Sequence, residues 1–378
     1  MITPEALLER VIPFASLRYS TDAFIDYCLP ECQPKFNYAL IGPGVSQNPN
    51  QPVSLREPHG FQVGGVSIPH GRVNPPHMHF TCEVFICTRG DWRIQWGFNP
   101  EPSAADIGEG DIVSVPTWLY RGFTNIGVDD GFMFTALGGD ATGGILWGPS
   151  TLAAAERQGV YLTDDYRIID TRRGDVMADG AQRLQPMSAQ EIAELRVWPV
   201  EEMTRRIVRF ADLRWSTHGL LDSALPGCGG QLAAVVGLGV AQDRNLLAPV
   251  RNAHGVSIEW LRLPPGGQVS RHRLHEKQVL IVKAGRIDVS VDTSAGPVSH
   301  TCIGAALAWD SMSLPPGEWR SLKNVGTDVA LVLLLTSGDQ RKAIEWDGAV
   351  VQAAMAHGLA IDANGHVALK RFVDRAQR

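Results

Sequence analysis

No stretch of this 378-residue chain is apolar for long enough to cross a bilayer as a helix. Its first residues carry no charged-then-apolar segment of the secretory kind, so we expect a cytoplasmic protein that does not engage membranes. Positive charge is in deficit: 34 Lys and Arg stand against 40 Asp and Glu, a formal net charge of −6. That balance excludes a general nucleic-acid binder, which needs a basic face to neutralise phosphates. Cysteine is sparse, and the six residues (Cys28, Cys32, Cys82, Cys87, Cys228, Cys302) form no CxxC pair. With no secretory context all six read as reduced thiols, and Cys28 and Cys32, lacking the second pair that would complete a zinc set, read as structural. No glycine-rich loop opens a helix after a strand, which argues against a nucleotide cofactor. No Ser/His/Asp or Cys/His arrangement stands out from spacing alone.

What is present is written twice. VIPFASLRYST (Val11–Thr21) returns as IVRFADLRWST (Ile207–Thr217), and HGFQVGGVSIPHG from His59 is answered by HGVSIEWLRLPPG from His254. ILWGPSTLAAAERQGVYL (Ile145–Leu162) returns as IEWDGAVVQAAMAHGLAI (Ile344–Ile361). A register held near 196 residues (207 − 11 = 196) from end to end marks an internal duplication. The halves are expected at 1–162 and 207–378, with barrel cores at about 55–140 and about 250–340, joined by a connector over 163–206. His59 and His254 occupy matching places, which suggests a structural role in the repeat. Within a half, short segments such as FQVGGVSI, CEVFIC and GFMFTALG alternate with turn residues, as antiparallel barrels and sandwiches require. Short helices flank them. Thr3 and Pro4 open one, Gly159 closes another, and the capping-box spacing from Ser188 to Glu191 predicts one in the connector.

The stretch GRVNPPHMHFTCEVFICTRG (Gly71–Gly90) places His77, His79 and Glu83 in seven residues. On one strand, residues two and four apart share a face, so the three side chains are expected on one side. Two neutral imidazoles and a carboxylate suit a divalent first-row metal, with open positions left over. Further on, GDIVSVPTWLYRGFTN sets Gly110, Pro116, Trp118, Arg121 and Asn125 in order. The two motifs resemble the paired signatures of the cupin superfamily, and with the duplication the chain resembles a bicupin. The resemblance implies an all-β fold of two double-stranded β-helix (jelly-roll) barrels. It departs from the pattern at Trp118, where glycine is usual, and at Arg121, where a fourth ligand, histidine, is usual.

Arginine has no lone pair and stays protonated, so it cannot ligate. Three arrangements are open. Arg121 pairs with Glu83 and abolishes the metal site, or turns aside, or receives an anionic substrate group beside the metal. The second half repeats the choice with Arg320, but has His272, Leu274 and Gln278 in place of the three ligands, so chemistry is assigned to the first barrel. His275 would point away from His272 on a strand. Trp92, Ile94 and Trp96 share one strand face, as do Leu119, Arg121 and Phe123, and Phe123 and Trp96 are taken with Arg121 as substrate-binding residues. His70 stands where a loop histidine reaches a pocket mouth.

Resemblance to gentisate-dioxygenase-like bicupins implies a metal-dependent, dioxygenase-type oxidoreductase acting on a small anionic aromatic or organic acid. Iron(II) is the favoured metal, with manganese, nickel or zinc as alternatives, and Arg121 is the catalytic arginine that orients the acid. The alternatives are a metal-dependent isomerase or lyase, and a non-catalytic, metal-free ligand-binding bicupin. By analogy with cupins, edge strands and terminal segments are expected to support a homodimer.

Overall fold

The apolar segments of each half form antiparallel strands, and glycines in the left-handed region turn the chain between them. Gly71 (φ 73°), Gly90 (φ 86°) and Gly110 (φ 88°) all adopt backbone angles that a side chain would strain. The computed structural model describes residues 1–98 and 102–376, and they divide into two units.

The unit Arg18–Ala211 contains two main sheets. The larger runs Ile207–Val208, Ile112–Val115, Glu83–Arg89, Gly131–Gly138, Phe61–Ile68, Phe36–Ile41, Tyr19–Ser20, with Val53–Leu55 beside Phe36–Ile41. The smaller runs Ile145–Trp147, Val73–His79, Arg121–Asn125, Trp92–Trp96, Ser103–Ile107. Phe85, Val113 and Met133 from the first meet Trp92, Ile94 and Phe123 from the second in one buried core. Two sheets packed face to face around alternating inward residues are the jelly-roll arrangement.

The other unit, Met1–Leu17 with Asp212–Arg378, repeats the architecture. Here Gln278–Thr293 is unbroken and serves both sides of the barrel, so the strands join into a single eleven-stranded network. The fold is therefore a duplicated cupin with short flanking helices. No described helix is long and apolar enough to cross a membrane.

The repeat boundaries and the structural boundaries differ. The first half's arm does not stay with its own barrel: Val11 and Ile12 pair with Met312 and Ser311 of the second. The second half's arm answers in kind, with Ile207 and Val208 paired to Val113 and Ile112 of the first. The expected units 1–162 and 207–378 thus become Arg18–Ala211 and Met1–Leu17 with Asp212–Arg378. The reason is a sheet edge. Ile112–Val115 and Ser311–Leu314 each have an open side whose backbone groups need partners, and the arms supply them. The connector belongs with the first barrel and carries two helices rather than one, Ala189–Glu194 with the expected Ser188–Glu191 capping box and Val200–Thr204. Met203 of the latter is fully buried in the barrel core.

His59 and His254 do play the same structural part. Each heads a strand whose first amides are held by a carboxylate, Asp140 for His59 and Gly60, and Asp339 for His254 and Gly255. None of the six cysteines forms a disulfide among the described residues, and Cys28 and Cys32 pack with Ile25, Leu29 and Trp147.

Two expectations follow. Leu7 is 1% exposed in the core of the second barrel, so Leu7→Ala should cost about 2–5 kcal/mol there. Hydrogen exchange should then accelerate in Val256–Leu263 and Ala330–Ser337. Loss confined to Phe61–Ile68 and Gly131–Gly138 would contradict the exchange of arms. The second concerns Glu259, also 1% exposed, whose carboxylate accepts from the amides of Val240 (2.7 Å) and Ala241 (3.2 Å). Burial outweighs these bonds and the Lys342 charge and pushes its pKa up to about 7 from 4.5. A raised acid is protonated in the fold when the unfolded chain has already ionised. Its contribution is therefore whole below about pH 4.5 and is lost as pH rises to about 7, on the order of 3 kcal/mol. Urea midpoints at about pH 5 and about pH 8 should differ less in Glu259→Gln than in the wild type, and equal differences would refute the assignment.

Candidate metal centre

His77 and His79 close the strand Val73–His79, while Glu83 opens the strand Glu83–Arg89. These strands lie in different sheets, so the expectation that one strand presents all three is corrected: the chain crosses from sheet to sheet over Phe80–Cys82, and the ligands meet across the barrel. One ligand atom from each residue lies within 4.8 Å of the others. His77, His79 and Glu83 are 4%, 3% and 6% exposed.

The backbone aims His77. Arg121 pairs with His77 and Phe123 with Asn74, so one extra residue bulges out of the strand at Pro75–Pro76. Neither proline has an N–H to lose to the ladder, so the bulge costs little there. The ring Nδ1 of His77 lies 2.9 Å from the Pro75 carbonyl and 3.1 Å from Asn74 Nδ2; in the tautomer that donates to the carbonyl, Nε2 is the free lone pair. The indole of Trp147 packs on the ring at 5.3 Å. His272 in the second barrel is held the same way, with Nδ1 at 2.8 Å from the Ser270 carbonyl and Trp346 at 5.4 Å. Arg320 pairs with His272 and Leu322 with Val269, so the bulge is repeated too.

Protonation favours ligation. Burial lowers the pKa of both imidazoles, which stay neutral near pH 7. Burial alone would raise Glu83, but His79 and Arg121 together pull it down to about 2, so it is a carboxylate. Glu83 Oε2 lies 3.3 Å from His79 Nε2, yet it is buried with no hydrogen-bond partner, as is His79 Nδ1. A buried, unpaired carboxylate oxygen beside imidazole lone pairs is what a cation would satisfy, so the residues fit a divalent metal. Nothing in a set of two imidazoles and one carboxylate selects iron(II) over manganese(II) or zinc(II).

Arg121 stands 1% exposed behind Glu83. Its Nε is 3.8 Å from Glu83 Oε2, beyond hydrogen-bonding reach, and Nη2 donates to the Pro116 carbonyl at 2.8 Å. Nε and Nη1 have no partner. Burial lowers its pKa to about 10, which leaves it charged at neutral pH.

A cavity opens on the triad, with room of about 80 Å³ for the centres of water-sized molecules, enough for several waters or one small ligand. Its walls include Phe123, as expected, and also Tyr38, Asn37, Gln51, Gln62 and Trp147. Arg121 and Trp96 do not line it. Trp96 ends its strand beside Leu119 and faces a separate groove toward Trp198 of the connector segment, because residues at one end of a β-face need not reach a site at the other. His70 is exposed, with Nδ1 against the Gly127 carbonyl, and does not line the cavity. Trp118 takes a left-handed conformation (φ 61°), strain that glycine would avoid, and meets Phe80 edge-on at 5.1 Å.

Sequence reading missed the pre-barrel residues Asn37, Tyr38 and Gln51, which no motif marks. Trp147 was within reach, since its place in the repeat is taken by Trp346. Also unread was Lys35, 1% exposed, which is paired with Asp26 and donates at 2.7 Å to Asn74, itself a cavity residue.

In the second barrel the same positions converge on little space. The cavity by His272, Leu274, Gln278 and Leu322 has room of about 20 Å³ by the same measure, one water at most. Among the described residues, no second cluster of three ligand types forms there, and His275 is exposed.

No protein-family model matches the chain, and no curated protein is similar to it. Solved structures do match. Oxalate decarboxylase from Bacillus subtilis, at pH 4.6, superposes with a TM-score of 0.52 at 11% identity, over 88% of this chain and 77% of that one. The Lactobacillus farciminis oxalate decarboxylase formate complex gives 0.53 at 11% identity, over 88% and 86%. At such identity the likeness speaks for the fold: this chain has the bicupin architecture, across both barrels.

Proposed function

We propose that the first barrel is a metal-dependent active site for a small organic acid, and that its reaction is of the lyase type. The observation that carries this reading is the buried triad of His77, His79 and Glu83, whose unpaired acceptor atoms face a ligand-sized cavity. A metal held there supplies Lewis acidity toward a bound carboxylate. Charge supports an anionic substrate: Glu83 (−1), Arg121 (+1) and a divalent ion (+2) sum to +2, and a small dicarboxylate would neutralise it. Arg121 acts in this reading through Glu83 and through its field, since it does not line the cavity. Tyr38 borders the cavity, but its ring packs on Tyr19 and Phe132 on the far face of the sheet, and the interior face of its strand presents Asn37 instead.

The similar structures are decarboxylases, one of them with formate bound, which favours loss of carbon dioxide over oxygen insertion. The dioxygenase expectation finds no support in them. The metal-free binding module keeps one point in its favour, the approach of Arg121 to Glu83.

Protein prepared without chelators should carry close to one divalent metal per chain, and His77→Ala should lose it by elemental analysis. A wild type that stays metal-free when titrated with manganese(II) and iron(II) would support the binding module instead. With metal bound, a panel of small dicarboxylates should yield carbon dioxide without net oxygen consumption. Stoichiometric oxygen uptake would return the dioxygenase to first place.

A further inference from the structure

One loop is repeated in the two barrels with its geometry intact. GPGV (Gly42–Val45) follows the strand Phe36–Ile41, and GLGV (Gly237–Val240) follows Gln231–Val236. Both glycines are left-handed in each copy, at φ 67° and 66° in the first and 71° and 54° in the second. The amides of Gly42 and Gly237 each donate at 2.9 Å, to the carbonyls of Leu55 and Val250. Past the turn, the amides of Gln47 and Gln242 donate to Ala23 (2.8 Å) and Gly219 (2.7 Å). The side-chain oxygen of each glutamine accepts from a backbone amide, Ile25 or Leu221, and from an indole, Trp147 or Trp346. Tied alike at both ends, the loops present Val45 and Ser46 as they present Val240 and Ala241.

In the second barrel this loop holds a carboxylate. The two oxygens of Glu259 accept from the amides of Val240 (2.7 Å) and Ala241 (3.2 Å). Successive amides after a left-handed residue form a concavity suited to an anion. The first barrel has Gly64 in the place of Glu259: Gly64 pairs with Ala39 and Thr135, as Glu259 pairs with Ala234 and Leu334. No side chain fills the space there, and Gly44, Val45, Ser46 and Gly64 line the same cavity as His77, His79 and Glu83. Among the described residues, Glu83 is the only acid on its wall, and it belongs to the ligand set.

We propose, resting on the reading of this cavity as a metal-dependent site, that the amides of Val45 and Ser46 receive a carboxylate of the substrate. The substrate is then a small dicarboxylate, with one acid group at the metal and the other in this nest. The second barrel displays the occupied state with its own side chain, Glu259 standing where the ligand's carboxylate would lie. Amides fixed by the loop's hydrogen bonds need no reorganisation to accept it. Gly64 is a specificity-determining residue, since a longer side chain there would take the substrate's place.

The test is equilibrium binding to the full chain loaded with manganese(II). Malonate and succinate are each compared with their monomethyl esters, which lack one carboxylate. The better-bound diacid should exceed its ester by about tenfold or more, as charge-assisted hydrogen bonds imply. Gly64→Glu fills the nest from within and should abolish that preference, with manganese stoichiometry and formate affinity unchanged. A preference that survives in Gly64→Glu, or is absent from the wild type, would overturn the proposal. A wild type that takes up no manganese refutes the metal reading, and the nest is then judged on metal-free protein. There malonate should raise the unfolding midpoint of the wild type and not of Gly64→Glu, and no rise refutes the nest as well. A Cβ at Gly64 would meet Thr135 Oγ1 at 2.9 Å and the Tyr38 carbonyl at 3.1 Å, so Glu259→Gly serves should Gly64→Glu fail to fold. It empties the second nest, and formate should raise its unfolding midpoint well beyond any effect on the wild type. Equal formate effects on the two would sink the idea.

Discussion

A guanidinium shut inside each barrel is the constraint on which the chemistry of both depends. Arg121 and Arg320 occupy matching places in the two repeats, and neither reaches solvent. A positive charge in low dielectric must meet negative charge or acceptors nearby. In the first barrel that need is met by Glu83, whose ionisation also completes a ligand set with His77 and His79. One carboxylate thus stands beside a fixed cation and, on the proposed reading, would also face a metal ion. In the second barrel the carboxylate has become Gln278, and the ligand set is lost with it.

The shared scaffold makes this divergence cheap. A bulge on the strand before His77 and His272 aims each ring inward, a carbonyl two residues back orients each Nδ1, and a tryptophan packs on each ring. These features belong to the backbone and the core, so they survive when the ligands change. What changed is the space. Leu274 stands where His79 stands, and the second cavity has shrunk to the size of a water molecule.

The exchanged arms follow from a different rule. A barrel built of short strands leaves an edge, and an unpaired edge invites aggregation. Val11–Ile12 and Ile207–Val208 each close one edge, and each lies in the repeat unit of the opposite half. Duplication therefore produced two barrels that each depend on a segment from the other's sequence. No feature of the repeat reveals this, because the arm and the edge look the same in both halves and either pairing satisfies the hydrogen bonds.

Much of this protein was legible before any coordinates. The repeat, the all-β grammar, the capping box at Ser188, the residue types of the triad and the inferior ligand set of the second half all follow from local chemistry and spacing. Spacing alone misplaced Glu83 on the strand of the histidines, because a three-residue turn and a continuing strand look alike in sequence. It also placed Arg121 and Trp96 in the pocket wall, where only Phe123 belongs. Sequence by itself determined which residue types were available for a metal and that the pattern occurs twice. Tertiary structure alone decided that the ligands meet across two sheets, that Arg121 stands behind Glu83, and that the Arg320 guanidinium makes no hydrogen bond. Those outcomes depend on distances between strands far apart in the chain, and local spacing carries no record of them.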